Sequence, residues 1–428
     1  MKVLVVGSGG REHVLVWALS RSPRVREVHV APGNGGTASL ATNVDIRAED
    51  VARLTAYARE QRFDLVVIGP EAPLALGLAD LLREAGLRVF GPSQAAARLE
   101  SSKVYSKDFM QRHGIPSAGY AVFRSEAEAL AYLRDHHAPI VVKADGLAAG
   151  KGVYVCASDE EARQAVEAIM RARVHGAAGD AVVIEECLTG EEVSVLAFSD
   201  GRTVRPMILA QDHKAAYDGD LGPNTGGMGS YAPANLLDEA ALGRVVARVL
   251  QPTIDGLAAA STPYVGVLYA GLMVTGGEFQ VLEFNCRFGD PEAQVILPLL
   301  ESDLAEVLLA CVEGRLNEVD LRWKPGACAC VVMASGGYPG AYRTGLEIHG
   351  LAEAGGVEDC VVFHAGTRRE GGRCLTAGGR VLDVTALGVD LPEALGRAYR
   401  AVERIHWDGA HYRRDIGAKG LAAARQTG

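Results

Sequence analysis

The side chains of this sequence that could carry chemistry stand at the ends of apolar runs, and the first is a lysine beside a glycine-rich loop. Lys143 ends the run PIVVK, and the stretch ADGLAAGKGV at 144–153 follows directly. A cation beside free backbone N–H groups can hold an anion such as a phosphate. The spacing differs from that of a P-loop, because only three residues separate Gly146 from Gly150, and Gly152 replaces the hydroxyl residue that binds magnesium. The flanking β-branched runs predict a hairpin, which either covers a phosphate or is a mobile hairpin without a ligand.

A second group of polar side chains interrupts the apolar stretch VLEFNCRFGDPE at 281–292. Two-residue alternation places Glu283, Asn285 and Arg287 on one face of a strand. A carboxylate and an amide oxygen suit Mg²⁺, which completes its shell with phosphate and water. The adjacent guanidinium could stabilise charge on a phosphoryl oxygen, whereas the alternative is a salt-bridged edge strand. Lys214, in QDHK, is a further candidate to bind a terminal phosphate.

Glycine- or proline-rich loops follow the first three predicted strands. GSGGRE at 7–12 is close to a dinucleotide-binding fingerprint, but Glu12 occupies the position of the third glycine and no acidic residue ends the second strand, which disfavours a dehydrogenase. This helix start, with Arg11, could still bind a phosphate, or it is a tight turn without a ligand. APGNGG at 31–36 and GPEAPL at 69–74 end neighbouring parallel strands, which is where ligands bind in such sheets.

Composition disfavours several classes of function. The 428 residues are 48% hydrophobic and 22% charged with a net charge of −10, which indicates large globular domains and no nucleic-acid-binding surface. We expect no membrane span and no signal peptide, since no apolar run is long enough and the N-terminal flanks are wrong. The eight cysteines are scattered without zinc-site spacing, so we expect reduced thiols and a cytoplasmic protein.

Three domains are expected to position these residues, as the length also suggests at roughly 150 residues per domain. Residues 1–100 alternate apolar strands with helices, including helices at 51–60 and 74–86, which predicts a Rossmann-like parallel sheet. Residues 101–322 form the central domain, with a small lid subdomain at about 120–190. Residues 323–428, which begin near WKPGA, predict a small C-terminal α+β domain. The predicted fold class is therefore α/β and α+β multidomain.

Together these features resemble the ATP-grasp superfamily, in which a nucleotide lies between two α+β modules, under a glycine-rich hairpin and beside an E-x-N strand. Longer motifs are similar, in order, to the phosphoribosylamine–glycine ligase family. They read GSGGREH, APGNGGTA, GPEAPL, ADGLAAGKGV, QDHK, GPNTGGMG, EFNCRFGDPE and HAGT…GGRVL…HWDG…RRDIG. The resemblance runs from residue 3 to about 417 and is that of the monofunctional bacterial type. It implies a central ATP-grasp fold for residues 101–322.

The resemblance implies an ATP-dependent carbon–nitrogen ligase of purine biosynthesis. ATP would phosphorylate the carboxylate of glycine, and the amine of 5-phosphoribosylamine would then displace phosphate from the acyl phosphate. The residue types agree, because phosphoryl transfer needs positioning and charge neutralisation rather than a protein nucleophile. The implied cofactors are ATP and Mg²⁺ or Mn²⁺. The implied partners are the two small-molecule substrates and a transient contact with the preceding pathway enzyme, with no nucleic acid or membrane, and we expect a monomer.

The resemblance also implies roles for individual residues. Lys103 and Lys143 would hold the α- and β-phosphates, and Glu185 with the backbone of Glu186 and Leu188 would read adenine. The remaining nucleotide contacts would be Glu192 at the ribose and Gly150, Lys151 and Gly152 in the loop. Lys214 and Arg287 would stabilise the transferring phosphoryl group, while Glu283 and Asn285 bind the metal; the place of a third acid is assigned to Leu272. Substrate contacts would be Gly9, Gly10, Arg11, Gly33, Asn34, Glu71, Asp212, Asn224, Thr225, Gly226 and Asp290, with Asp212 and Asp290 as candidates for the glycine ammonium.

Two other interpretations compete with this one. Another ATP-grasp ligase, such as a biotin-dependent carboxylase subunit, would share the nucleotide half but not the GSGGREH and HWDG…RRDIG motifs. A nucleotide-binding regulatory protein without turnover would not need the paired metal and phosphoryl groups of Lys143, Glu283, Asn285 and Arg287.

Overall fold

The computed structural model describes residues 1–148 and 151–427, so Gly150 lies outside the described residues. The predicted mixed α/β and α+β multidomain fold is confirmed. All eight cysteines carry free thiols. No helix in the described ranges combines the length and the apolar character needed to cross a bilayer.

The N-terminal domain is a five-stranded parallel sheet in the order β3-β2-β1-β4-β5. Its strands are β1 (Lys2–Gly7), β2 (Glu27–Pro32), β3 (Thr42–Asn43), β4 (Leu65–Ile68) and β5 (Val89–Phe90). Its helices are α1 (Gly10–Ser20), α2 (Val51–Gln61), α3 (Glu71–Ala75), α4 (Leu78–Glu84) and α5 (Arg98–Ser101). Because β1 lies between β2 and β4, the loops that follow these three strands meet at one edge of the sheet.

One predicted helix of this domain is interrupted. The segment 74–86 was expected to be continuous, but α3 ends at Ala75 and α4 begins at Leu78. Gly77 between them has φ of +82°, a left-handed conformation that ends a helix and that glycine adopts without steric cost.

The lid is an antiparallel sheet in the order β6-β9-β7-β8, covered by helices. Its elements, with the helix that leads into it, are α6 (Lys103–Arg112), β6 (Tyr120–Phe123), α7 (Glu126–Tyr132), β7 (Ile140–Ala144), β8 (Val153–Cys156), α8 (Asp159–Val166) and β9 (Val182–Glu186). A π-helical turn, Glu167–Arg171, continues α8. β7 and β8 pair antiparallel, so the glycine-rich stretch joins the two strands of a hairpin as its flanks predict.

The rest of the central segment contains a second antiparallel sheet, in the order β11-β10-β16-β17. The strands of the segment are β10 (Glu191–Asp200), β11 (Val204–Pro206), β12 (Gln211–Asp212), β13 (Ala215–Tyr217), β14 (Leu221–Asn224), β15 (Gly229–Ala232), β16 (Val265–Thr275) and β17 (Glu278–Asn285). Its helices are α9 (Glu239–Val245), α10 (Gln251–Ala259), α11 (Ala293–Leu299) and α12 (Leu304–Glu313), and a π-helical turn, Val246–Leu250, joins α9 to α10.

The C-terminal sheet takes two of its five strands from the central segment, in the order β12-β15-β18-β22-β19. The further elements are β18 (Ala327–Ala334), α13 (Leu351–Gly355), β19 (Cys360–His364), β20 (Thr367–Glu370), β21 (Arg373–Thr376), β22 (Arg380–Gly388), α14 (Leu391–Val402) and α15 (Ala418–Thr427). One apolar core accordingly runs from the central sheet into the C-terminal sheet. The domain limits at residues 100 and 322 stay a prediction.

Candidate active site

A cavity of about 470 Å³ lies where the N-terminal sheet edge, the lid, the central sheet and the C-terminal domain meet. Most of the chemistry-bearing residues predicted from the sequence lie on its wall. They are Arg11, Glu71, Lys103, Lys151, Gly152, Asp212, Lys214, Thr225, Gly226, Glu283, Asn285, Arg287 and Asp290. Motifs that are almost 300 residues apart in the chain therefore form one site.

The last residues of β17 place two side chains with oxygen atoms at this cavity. Glu283 and Asn285 both line it, two residues apart on one face of the strand as predicted. The carboxylate of Glu283 accepts a hydrogen bond of 2.9 Å from Nζ of Lys103. Burial opposes ionisation of Glu283, but the positive charges of Lys103, Lys214 and Lys143 outweigh burial and hold its pKa well below the ordinary value.

These two side chains suit a divalent ion that takes its other ligands from phosphate and water. The described part of the chain holds no cluster of three or more His, Cys, Asp or Glu side chains that could bind a metal alone. On the neighbouring strand β16, Gly271 lies opposite Glu283, and an irregularity in the pairing then sets Leu272 opposite Val281. Leu272, where the third acid was expected, is fully buried in the apolar core and so supplies no ligand.

Arg287 lies just beyond β17 and is held from several sides. Its guanidinium lies 3.4 Å from the carboxylate of Glu71 and 3.1 Å from that of Glu100, and it donates a 3.2 Å hydrogen bond to Oδ1 of Asn285. Glu100 is buried and accepts a 2.7 Å hydrogen bond from the backbone N–H of Cys286. No motif in the sequence marks Glu100, because its role depends on a strand almost 190 residues further along the chain.

A buried charge cluster lies behind the cavity wall, at the base of the lid. Glu185 on β9 forms ion pairs with both Lys143 on β7 and Lys107 on α6. Lys143 also donates a 3.1 Å hydrogen bond to the backbone carbonyl of Leu282, next to the predicted metal ligand. Lys107 was not predicted, although its position four residues after Lys103 on one helix face could have indicated it.

The remaining predicted nucleotide contacts lie around the hinge after β9. Glu186 is exposed and accepts a 3.1 Å hydrogen bond from the N–H of Gly119, and neither Glu186 nor Leu188 lines the cavity. Glu192 pairs with Lys214. Burial disfavours the charge of Lys214, but the carboxylates of Glu192, Asp212 and Glu283 raise its pKa above the ordinary value, so this lysine stays a cation.

The N-terminal loop is organised by Glu12, the residue that replaces the third glycine. Its carboxylate accepts hydrogen bonds of 2.6 Å from the N–H of Gly9 and from Nε of Arg11, so it caps α1 and orients the arginine. Gly10 packs on Asp383 of β22 so closely that a Cβ there would overlap the carboxylate. Arg11 is the part of this loop that lines the cavity.

Five predicted substrate contacts are not on the cavity wall, namely Gly9, Gly10, Gly33, Asn34 and Asn224. The amide nitrogen of Asn34 donates to the carbonyls of Ser8 at 3.0 Å and His364 at 2.6 Å, and its oxygen accepts the N–H groups of residues 36 and 37. Asn34 thus ties the second loop to the first and to the C-terminal domain. Asn224 is exposed at the end of β14.

The C-terminal domain contributes two side chains to the wall. Arg380 donates hydrogen bonds of 2.7 Å to the carbonyls of Gly226 and Asp290 and lies 3.2 Å from the carboxylate of Asp290. The hydroxyl of Tyr338, a residue of the SGGYPG stretch, accepts a 3.1 Å hydrogen bond from the N–H of Gly226. Lys151 of the lid donates to the carbonyl of Pro339 at 3.0 Å, so the lid also contacts this loop.

Comparison with known proteins gives one result for all three parts of the chain. The models of the phosphoribosylglycinamide synthetase N domain, ATP-grasp (A) domain and C domain match residues 1–100, 101–293 and 328–419. The phosphoribosylamine–glycine ligase of Allochromatium vinosum is 54% identical over 428 residues, which cover 99% of this chain and 100% of the relative. That of Vibrio vulnificus is 50% identical over the full length of both chains.

Solved structures agree with these sequence matches. The crystal structure of phosphoribosylamine–glycine ligase from Thermotoga maritima superposes with a TM-score of 0.86 and 35% identity, covering 97% of this chain and 100% of that one. The biotin carboxylase domain of 2-oxoglutarate carboxylase from Hydrogenobacter thermophilus gives a TM-score of 0.73 over 96% of this chain and 91% of its own. At 17% identity the second likeness shows the ATP-grasp fold alone.

Proposed function

Because this chain belongs to the phosphoribosylglycinamide synthetase family, we propose that it joins glycine to 5-phosphoribosylamine at the cost of one ATP. The products are glycinamide ribonucleotide, ADP and phosphate, a step of purine biosynthesis. The chain is an ATP-dependent carbon–nitrogen ligase with an ATP-grasp domain. The observation that carries the proposal is the convergence of Lys214, Glu283, Asn285 and Arg287 on one cavity between the lid and the N-terminal sheet edge.

The first step is phosphoryl transfer to the substrate carboxylate. An oxygen of the glycine carboxylate attacks the γ-phosphorus of ATP, and the bond from phosphorus to the β,γ-bridging oxygen breaks as ADP leaves. Lys214 and Arg287 face the cavity as fixed cations and stabilise the negative charge that spreads over the equatorial oxygens. Glu71 and Glu100 orient Arg287 in advance, so little reorganisation is needed during the reaction.

The second step is acyl transfer to the amine. The nitrogen of phosphoribosylamine attacks the carbonyl carbon of glycyl phosphate, phosphate leaves, and the nitrogen loses a proton to become an amide. No protein nucleophile is needed, because the phosphate already provides a leaving group. Arg11, at the start of α1, lies where it can bind the phosphate of this substrate, and Thr225 and Gly226 lie on the facing wall.

The nucleotide is proposed to lie under the lid, with Lys103 and Lys143 at its phosphates and Glu185 to Leu188 at its base. Lys103 now pairs with Glu283 and Lys143 with Glu185, so phosphate oxygens would compete with these two carboxylates for the lysines. We propose that Glu283 and Asn285 would hold Mg²⁺ or Mn²⁺, which would supply positive charge to neutralise the phosphates. The monomeric state, the cytoplasmic location and the contact with the preceding enzyme stay predictions.

Release of phosphate tests this function. We expect release from ATP and Mg²⁺ only when glycine and freshly generated phosphoribosylamine are both present, and loss of release when a chelator removes the metal. Lys143→Ala and Glu283→Ala should each lower kcat/KM by about 10²-fold or more. Glu278→Ala is the matched control, because Glu278 lies on the same strand but is exposed, and it should leave turnover unchanged.

Other outcomes identify the competing functions. ATP consumption with a different acid or amine would keep the fold and overturn the substrates. Binding of ATP without hydrolysis under any substrate pairing would overturn the enzyme and favour a regulatory nucleotide-binding protein.

A further inference from the structure

A loop of the C-terminal domain contacts two other parts of the site through consecutive residues. The stretch SGGYPG at 335–340 follows β18. The hydroxyl of Tyr338 accepts a 3.1 Å hydrogen bond from the N–H of Gly226, in the loop between β14 and β15. The backbone carbonyl of Pro339, the next residue, accepts a 3.0 Å hydrogen bond from Nζ of Lys151 in the lid. One short loop therefore connects the lid to a wall of the cavity.

The loop is fixed to its own domain, so it can act as a rigid connection. Ser335 donates twice to the turn before β22, from its N–H to the carbonyl of Gly379 at 2.7 Å and from its hydroxyl to the carbonyl of Gly378 at 2.9 Å. The N–H of Tyr338 donates to the carbonyl of Ser335 at 3.1 Å. The ring of Tyr338 packs on Gly379 so closely that a Cβ there would lie 2.3 Å from a ring carbon. Tyr338 and the residue after it therefore hold a fixed relative position.

Gly226 is held by the C-terminal domain at both of its backbone polar groups. Its N–H donates to Tyr338, and its carbonyl accepts a 2.7 Å hydrogen bond from Nη1 of Arg380. Gly226 and Thr225 lie on the cavity wall that faces Arg11, where the phosphoribosyl substrate is proposed to bind. A ligand that orders this wall thus also orders Tyr338.

The contact of Lys151 with Pro339 depends on the position of the lid. The lysine side chain is exposed, and its partner belongs to another domain almost 190 residues further along the chain. Such a hydrogen bond forms when the lid lies against the loop and is lost when the lid moves away. It should favour the closed lid by about 2- to 10-fold, provided that the loop presents the carbonyl of Pro339 in the right place.

We propose that Tyr338 is a positioning residue that couples the two substrate sites. Binding of the phosphoribosyl substrate orders Gly226 and Tyr338, and Pro339 then holds the lid closed over the nucleotide through Lys151. This inference rests on the proposed ligase function. The role suits the chemistry, because a closed lid excludes the water that would hydrolyse glycyl phosphate. The coupling encloses ATP most firmly when the amine acceptor is already bound.

Equilibrium binding of two reaction products tests the coupling, since ADP and glycinamide ribonucleotide can be mixed without reaction when phosphate is left out. Isothermal titration calorimetry gives the Kd of glycinamide ribonucleotide with and without saturating ADP and Mg²⁺. The ratio of the two Kd values is the coupling factor, and titration of ADP with and without the ribonucleotide must give the same factor. We expect a factor of about fivefold or more in the wild type.

Tyr338→Phe removes the acceptor of the Gly226 N–H and should reduce the coupling factor to about twofold or less. A residue that only shaped the ribonucleotide site would instead raise both Kd values equally and leave the factor unchanged. Tyr342→Phe is the matched control, because the rings of Tyr338 and Tyr342 meet edge to face with centroids 6.3 Å apart, whereas Tyr342 is not on the cavity wall. This variant loses the same group and should keep the wild-type factor.

Lys151→Met breaks the same connection at the lid and keeps the length of the side chain. Because Lys151 is also a proposed nucleotide contact, ADP alone should bind more weakly, but the coupling factor should fall to that of Tyr338→Phe. The double variant should have the same factor as either single variant, since both changes remove one link. This second variant keeps the proposal testable if Tyr338→Phe does not fold.

Three results would overturn the coupling. In the first, Tyr338→Phe keeps the wild-type factor. In the second, Tyr342→Phe loses as much of the factor as Tyr338→Phe. In the third, ADP leaves the affinity of the wild type for glycinamide ribonucleotide unchanged. Failure of the ligase function itself is distinct, because the wild-type protein would then neither bind glycinamide ribonucleotide nor release phosphate in the presence of both substrates.

Discussion

At the scale of single residues, the site depends on cations whose positions are fixed by buried acids. Arg287 contacts Glu71 through Nε and contacts both Glu100 and Asn285 through Nη2 of the planar guanidinium group. A lysine at this position would be a single point charge on a flexible stem and could not make all three contacts. The orientation of Arg287, rather than its charge alone, should therefore matter for phosphoryl transfer.

Arg287→Lys tests this at the level of catalysis. We expect kcat to fall by about 10²-fold, the cost typical of losing one preorganised donor to a developing charge. The KM for ATP should change little, because the nucleotide is held by other residues. Initial rates of phosphate release across an ATP titration measure both quantities, and a kcat within twofold of the wild type would show that charge alone suffices.

The same residues show what could be predicted from the sequence at this scale. Lys214, Glu283, Asn285 and Arg287 were predicted because their types and spacing suit phosphate and metal, and all four reach the cavity. The acids and bases that hold or accompany them, Lys107, Glu100 and Glu292, were not predicted. Their partners are distant in sequence, and an isolated charge in a chain gives no sign that it will be buried.

At the scale of elements, the lid and the helix that precedes it share a helix cap. Ser102 accepts a 3.1 Å hydrogen bond from the N–H of Tyr105 at the start of α6. Asp145, directly after β7, accepts from the hydroxyl of Ser102 at 2.9 Å and from the N–H of Val104 at 3.1 Å. The second residue of the glycine-rich stretch is thus bonded to the helix start that carries Lys103. This contact fixes Lys103 relative to Lys143.

Asp145→Ala should remove the contact that fixes Lys103 relative to Lys143. Loss of the cap should cost about 1 kcal/mol of stability, and the KM for ATP should rise because Lys103 and Lys143 no longer share a fixed frame. Asp238→Ala is the matched control: Asp238 caps α9 through the N–H of Ala241 at 2.7 Å and lies outside the cavity. Thermal unfolding should show a similar loss of stability for both variants. An equal rise in the KM for ATP in both variants would contradict the inference that Asp145 fixes Lys103 relative to Lys143.

At the scale of the whole molecule, the C-terminal domain is joined to both other parts of the chain. Its sheet includes β12 and β15 of the central segment, and β12 carries Asp212. Arg380 and Tyr338 contact Gly226, in the loop between β14 and β15. The pattern of apolar strands and helices predicted the fold class, which the structure confirms. Local patterns could not predict that the short strands β12 and β15 join a sheet whose other strands begin about 100 residues later in the chain.

Buried histidines make this assembly sensitive to pH. The Nδ1 of His13, on α1, accepts a 2.7 Å hydrogen bond from the backbone N–H of His364 on β19, so it must be neutral in the folded protein. Burial lowers the pKa of His13 to about 3 and the pKa values of His364 and His213 to about 4. As the pH falls below about 6.5, the unfolded chain binds protons that the folded chain excludes.

The free energy of unfolding should therefore be retained at pH 7 and should decrease as the pH falls from about 6.5 toward 4. Each of these histidines should contribute a decrease of about 1.4 kcal/mol per pH unit. Melting temperatures at pH 7, 6 and 5 measure the loss. His13→Gln should lower stability at pH 7, because a buried hydrogen bond is disturbed, and it should reduce the slope with pH, because one excluded proton is removed. His136→Gln, at an exposed histidine, should leave the slope unchanged. An equal slope in the His13 variant and the wild type would show that the contact between the N-terminal and C-terminal domains does not depend on the neutral imidazole.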